Sequence, residues 1–210
     1  MKQPPVKFDR DAALACAEAY LRLAEPAVIR IKDVEESTQP HPFSPNFGDM
    51  VAAATNLAFA IELYIKVILI ASKIDVPVGG DGHNLGKLYA AMPQHFRGVI
   101  GRSYEGRRKK DWNGRYPSIT ISAGPVSANV PKWDDDRSES LDIEALLVRS
   151  SDIFTSWRYI FEFKNPGEGG RITRRLEYGL LLSACRAMRD TIKSLQNPPT
   201  NSEYESSLAS

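Results

Sequence analysis

An acid and a base stand one helical turn apart in an otherwise apolar run, Glu62 and Lys66 within the stretch from Leu57 to Ala71. The acid on the N-terminal side is the favourable order for an intrahelical ion pair. Taking two charges out of water costs several kcal/mol per ion unless partners are supplied, so this pair is expected to recruit polar groups from neighbouring helices. The second candidate is His83 in Gly82-His83-Asn84-Leu85, followed by Leu88-Tyr89. A histidine at the start of a short helix can orient or cap backbone groups, or reach across to a carboxylate. The third is Trp157-Arg158-Tyr159-Ile160-Phe161-Glu162, where Arg158 and Glu162 repeat the four-residue spacing in the less favourable order, among large apolar side chains. Glu62, Lys66, Arg158 and Glu162 together would form a neutral buried polar network, with Tyr159 beside it.

A different chemistry is suggested between Arg97 and Arg115. Seven Lys and Arg face only Glu105 and Asp111 there, interleaved with Tyr104 and Trp112. Cations mixed with aromatic rings can hold phosphates and stack bases, and Arg107, Arg108, Lys109 and Lys110 form the densest part of the run. Asp134, Asp135, Asp136, Glu139, Asp142 and Glu144 oppose it with only Arg137 among them, so the two segments could instead neutralise each other. Over all 210 residues, 27 basic and 26 acidic side chains nearly cancel, which argues against attachment to nucleic acid or membrane through a global field. Cys16 and Cys185 are too far apart in sequence for a disulfide framework or a ligand spacing, and no His, Cys, Asp and Glu cluster suggests a metal or other cofactor. The start of the chain, with two prolines in Met1 to Arg10 and no apolar run, predicts no signal peptide. The run from Leu57 to Ala71 is short for a bilayer and charged in its middle, so the expectation is a cytoplasmic protein without a membrane partner.

The elements that must position these residues follow from apolar spacing. Leu14, Ala17, Leu21, Ala24 and Val28 predict a helix over residues 8 to 31, with Pro26 a candidate kink. A long helix from Pro45 to Lys73, apolar nearly all round, should be enclosed by the others. Leu141 to Phe163, capped by Ser140, and Arg171 to Leu195 complete the main set. Shorter helices are expected over His83 to Ala91 and Pro93 to Arg108. The Gly-, Pro- and Ser-rich segment near 112 to 138 breaks the pattern; Ile119 to Val130 reads as a small hairpin turning at Ala123-Gly124-Pro125. The prediction is therefore a mainly all-α single domain over residues 1 to 196, carrying this irregular or β-hairpin insertion, followed by a polar, disordered tail over 197 to 210.

The order of Ala60-Ile61-Glu62-Leu63-Tyr64-Ile65-Lys66, then Gly82-His83-Asn84-Leu85 with Leu88-Tyr89, then Phe154-Thr155-Ser156-Trp157-Arg158-Tyr159 with Glu162, resembles the HEPN superfamily of helical domains over about residues 50 to 195. The resemblance implies an up-and-down helical bundle, a homodimer, and a ligand that is RNA or a nucleotide. It also implies a toxin-antitoxin or antiphage defence setting, with a cognate partner protein. Many members are metal-independent ribonucleases that use an Arg followed after four to six residues by a His. Arg158 matches the Arg, but Phe163, Lys164 and Asn165 stand where the His would fall. His83 or Glu162 could substitute for it in space, and the resemblance implies ribonuclease activity that is atypical or lost. A noncatalytic dimerisation or adaptor module is the alternative, in which the same charges are structural.

Overall fold

The computed structural model describes residues 8–34, 45–112, 116–123, 141–151 and 172–196. These are mostly helical. Helix α1 (Arg10–Val34) begins at Asp9, whose Oδ1 accepts the backbone N–H groups of Asp11 and Ala12 at 3.0 Å. Such a carboxylate satisfies two of the donors that a helix start leaves open. Ala13, Ala17, Leu21, Ala24 and Val28 form the buried stripe of α1, and Pro26 sits inside the helix on its exposed side.

Helix α2 (Pro45–Ala71) is the centre of the fold, with α1, the short helix over Leu85–Ala91 and the last helix, Tyr178–Gln196, packed against it. Small residues at Ala53, Ala54, Ala58 and Ala60 let neighbouring helices approach, while Leu57, Ile61, Tyr64, Ile65 and Ile68 fill the space between them. The apolar span of this helix is longer than Leu57 to Ala71. Gly48–Ala71 is long and apolar enough by length and composition to cross a bilayer, so shortness does not argue against a membrane span; 72% of its most apolar window is buried inside the fold.

The end of α2 is a Schellman motif. Lys73 N–H donates to Ile70 O at 3.0 Å and Ile74 N–H to Leu69 O at 2.9 Å, which places Lys73 at the left-handed position with φ +58°. A side chain there is strained by about 1–2 kcal/mol, whereas glycine is not. Lys73→Gly is therefore expected to stabilise the protein by about 1 kcal/mol, allowing for the extra freedom of glycine in the unfolded chain. Urea denaturation with an unchanged m-value would check this.

A 3-10 helix (Gly79–His83) leads into α3 (Leu85–Ala91), and α4 follows (Gln94–Trp112). Asn84 caps α3 by accepting Lys87 N–H at 2.9 Å. Helix α4 buries Ile100, Tyr104, Arg108 and Trp112, every fourth residue, and packs mainly against the last helix. Helix α5 (Ile143–Arg149) is capped by Asp142, not Ser140, and turns at Ser150 and Ser151, while residues 152–163 of the expected 141 to 163 element lie outside the described residues. Its Val148 lies so close to Gly86 of α3 that a Cβ there would stand 2.8 Å from Val148 Cγ2.

Strand β1 (Ile119–Ala123) confirms the β-prone run but pairs elsewhere. Its antiparallel partner is β2 (Ile172–Leu176), with Ile119 opposite Leu176 and Ala123 opposite Ile172. The expected second hairpin strand, towards Val130, lies outside the described residues, as does the tail from Asn197. The last helix, α6 (Tyr178–Gln196), consequently starts later than expected from Arg171. At that joint Gly179 N–H donates to Pro117 O at 3.1 Å, and a Cβ on Gly179 would meet Pro117 Cδ at 2.7 Å. One contiguous core runs from Ala13 to Ile192 through α1, α2, α3, α4, α5 and α6.

Candidate functional site

Glu62 and Lys66, four residues apart on α2, meet on one face: Lys66 Nζ donates to Glu62 Oε1 at 2.6 Å, with side chains only 9% and 5% exposed. The pair is thus taken out of water, as its setting in the sequence requires. Further partners arrive from outside the helix. His83 Nδ1 lies 3.2 Å from both Glu62 Oε1 and Oε2, and the Phe8 ring lies under Lys66 Nζ at 5.6 Å. An ammonium over an aromatic face gains electrostatic attraction where water is scarce.

His83 differs from the pair it joins. Its side chain is 63% exposed, so one carboxylate links a buried ammonium to an imidazole at the surface. A carboxylate only accepts, so Nδ1 carries the hydrogen it shares with Glu62, and in the neutral ring Nε2 is then the nitrogen with the lone pair. Glu62 and Lys66 cancel in charge; protonation of His83 makes the cluster net positive. This arrangement can attract an anion and can pass a proton at the imidazole.

The local fold that delivers His83 depends on its neighbours. Gly82 is buried, and a Cβ there would fall 2.6 Å from the carbonyl oxygen of Pro77. Only glycine lets the 3-10 turn lie this close to the preceding chain. On the other side, Gly86 N–H donates to Ser151 Oγ at 3.0 Å, and that oxygen lies 3.1 Å from Asn84 Oδ1, so α5 fixes the start of α3 directly after His83.

No family model, curated protein or solved structure matches this chain. Its candidate site is therefore defined by its own residues. Of the residues singled out from sequence, Glu62, Lys66 and His83 come together, while Arg158, Tyr159 and Glu162 lie outside the described residues. Among the described residues, no three of His, Cys, Asp and Glu are grouped so as to hold a metal ion.

The basic run divides by helical face. Arg108 is not a surface phosphate ligand: it belongs to the buried row of α4, where its Nε donates to Glu105 Oε2 at 2.8 Å and its guanidinium lies 5.6 and 5.7 Å from the Tyr104 and Tyr116 rings. Arg107 is held by Asp190 of α6, with Nε donating to Oδ2 at 2.8 Å. Lys109 and Lys110 are exposed as expected. A third exposed cation, Arg102, lies outside the dense part of the run but stands seven residues before Lys109 and so shares its face. Two helical turns of spacing are the signal that would have found it.

A second charged cluster is architectural. Arg186 of α6 donates from Nε to Glu25 Oε1 at 2.8 Å and from Nη1 to Asp111 Oδ2 at 2.7 Å. It thereby ties α6 to both α1 and α4. Beside it, Cys185 is fully buried against Leu57 O, and burial pushes its thiol well above the usual range, opposed by the charge of Arg189. A thiol in that state is a poor nucleophile, which leaves it a packing role.

Proposed function

We propose that this chain is a HEPN-like helical protein that binds RNA or a nucleotide in a toxin-antitoxin or antiphage defence setting, acts as a homodimer, and has atypical or lost ribonuclease activity. The observation that carries this reading is the convergence of Glu62, Lys66 and His83. Two motifs far apart in sequence meet at a surface histidine whose inner nitrogen is held by a buried carboxylate. In such a site His83 is the group that meets phosphate or moves a proton, Glu62 fixes its ring, and Lys66 balances the carboxylate. Arg158 is proposed as its phosphate-binding partner.

What weakens catalysis in this reading is the missing histidine on the Arg158 side, where Phe163, Lys164 and Asn165 occur. A positioned acid or base contributes about 10² to 10⁴ in rate, so its loss leaves binding without efficient cleavage. With purified protein and labelled RNA in the presence of a chelator, binding is expected and cleavage should be slow or absent. Rapid cleavage that disappears in His83→Ala and in Arg158→Ala would overturn the inactive reading and make His83 catalytic. Absence of RNA binding at low salt would overturn the nucleic-acid reading as a whole.

The alternative, a dimerisation or adaptor module, is favoured by two features. Glu62 and Lys66 satisfy each other inside the fold, and Leu23 and Ile29 expose apolar side chains on α1. It predicts protein capture without nucleic-acid affinity.

A further inference from the structure

Helix α4 presents an outward face with no acidic residue on it. At 100° per residue, His95, Gly98, Arg102, Gly106, Lys109 and Lys110 fall within about a third of the helix circumference, opposite the buried row of Ile100, Tyr104 and Arg108. All six are exposed. Both acids of the helix lie off this face and are engaged: Glu105, at its edge, holds Arg108, and Asp111, on the inner side, holds Arg186. Arg102, Lys109 and Lys110 have no carboxylate partner among the described residues.

The small residues in this face have a use. Arg102 Nη1 lies 3.6 Å from the place a Cβ of Gly98 would take, so the guanidinium folds back over a bare stretch of helix, and nothing stands within 4 Å of the corresponding position at Gly106. A chain laid along the face can therefore approach the helix backbone between the cations. At the N-terminal end His95 and Phe96 place their rings 4.1 Å apart, His95 on the exposed side. An exposed ring at one end and a row of cations along the rest is the pattern of a single-strand track: bases stack on the ring and phosphates follow the charges.

We infer that the outward face of α4 binds single-stranded RNA, stacking one base on His95 and neutralising about three phosphates with Arg102, Lys109 and Lys110. This rests on the nucleic-acid reading above and gives it a surface distinct from the Glu62–His83 cluster. From His95 to Lys110 the helix rises roughly 22 Å, about the length of six stacked nucleotides at 3.4 Å each. A duplex is a poorer fit. A-form RNA closes its major groove to a helix, and a single row of charges reaches only one of its strands.

The test is a fluorescence titration of the whole chain with a labelled eight-nucleotide single-stranded RNA at several salt concentrations. Three neutralised phosphates on a single strand give a slope of log K against log salt near −2, hence about a twentyfold loss between 50 and 200 mM. Substituting Arg102→Gln, Lys109→Gln and Lys110→Gln together should bring the slope close to zero. His95→Ala should weaken binding about fivefold or more with the slope unchanged, because stacking releases no counterions. Lys87→Gln, which removes an exposed cation of α3, should move neither quantity. Circular dichroism of each variant should be unaltered, since all these side chains are exposed. An unchanged slope in the triple variant, or tighter binding of the same sequence as a duplex, overturns the α4 track while leaving RNA binding intact. Failure of the unaltered protein to bind RNA at low salt overturns the nucleic-acid reading and the track with it.

Discussion

Lys66→Met is expected to destabilise the protein by about 3–5 kcal/mol, the usual consequence of removing one member of a buried ion pair. The reason lies in what remains. Without the ammonium, the only side-chain partner left to the Glu62 carboxylate among the described residues is His83 at 3.2 Å, while its own exposure is 5%. The loss would come mostly from that stranded charge, and much less from the methylene groups, which Met replaces. Replacing both residues, as Glu62→Leu with Lys66→Met, should cost less than the single change, because an apolar pair of similar volume fits the run of Ile61, Ile65 and Val67. A double-mutant cycle measured by urea denaturation isolates the coupling. A coupling near zero would mean that the pair is solvated in solution and that Glu62 is free to turn wholly towards His83.

The pair itself was legible in the sequence because four-residue spacing on an apolar helix has only one geometric outcome. Its link to His83 was legible as chemistry, a carboxylate within reach of an imidazole, but not as geometry. The contact depends on Gly82 fitting beneath Pro77 O and on Ser151 of α5 holding the start of α3, neither of which has a local signature. Helix α1 followed from its apolar periodicity, and α2 from an almost unbroken apolar run bounded by Pro45 and the Pro77-Val78-Gly79-Gly80 break. Residues 172–176 did not, since Ile172, Leu176 and Leu180 fit a helical stripe as well as they fit a strand. What decides for the strand is β1, more than fifty residues earlier. Arg108 shows a related limit. A run of four cations reads as one patch along the chain, but successive residues of a helix point 100° apart, and the row of Ile100, Tyr104 and Trp112 carries Arg108 inward with it.

Steep alkaline unfolding is the other large effect expected of this fold. Tyr64 and Tyr104 are fully buried, and burial lifts both phenols far above their ordinary value near 10. Around Tyr64 the Cys185 thiol and the Glu18 carboxylate, which accepts its hydroxyl at 2.9 Å, push the same way; at Tyr104 the Arg108 cation opposes the rise only in part. Tyr89 is raised to about 12, again chiefly by burial, and Cys185 is raised by burial as well. All four are acids whose native state keeps a proton that the unfolded chain releases. Between the unfolded and folded values the unfolded state binds fewer protons, so stability falls as pH rises, and at neutral pH these groups contribute no pH dependence. Each contributes a slope of about 1.4 kcal/mol per pH unit inside its window, which opens near pH 9 for the thiol and near 10 for the phenols. With all four windows open the slope is about 5–6 kcal/mol per unit, set against a total stability of about 5–15 kcal/mol for an ordinary domain. Helix content followed by circular dichroism should therefore collapse within about two pH units above 10, and the tyrosinate absorbance of the buried phenols should appear in the same transition. In Tyr104→Phe, measured by urea denaturation at successive pH values, the slope should drop by about one proton's share. Tyrosinate signal from all eight tyrosines rising smoothly around pH 10 while the helices persist would show that water reaches the phenols in the native state, and that the core between α2, α4 and α6 is looser than its burial implies.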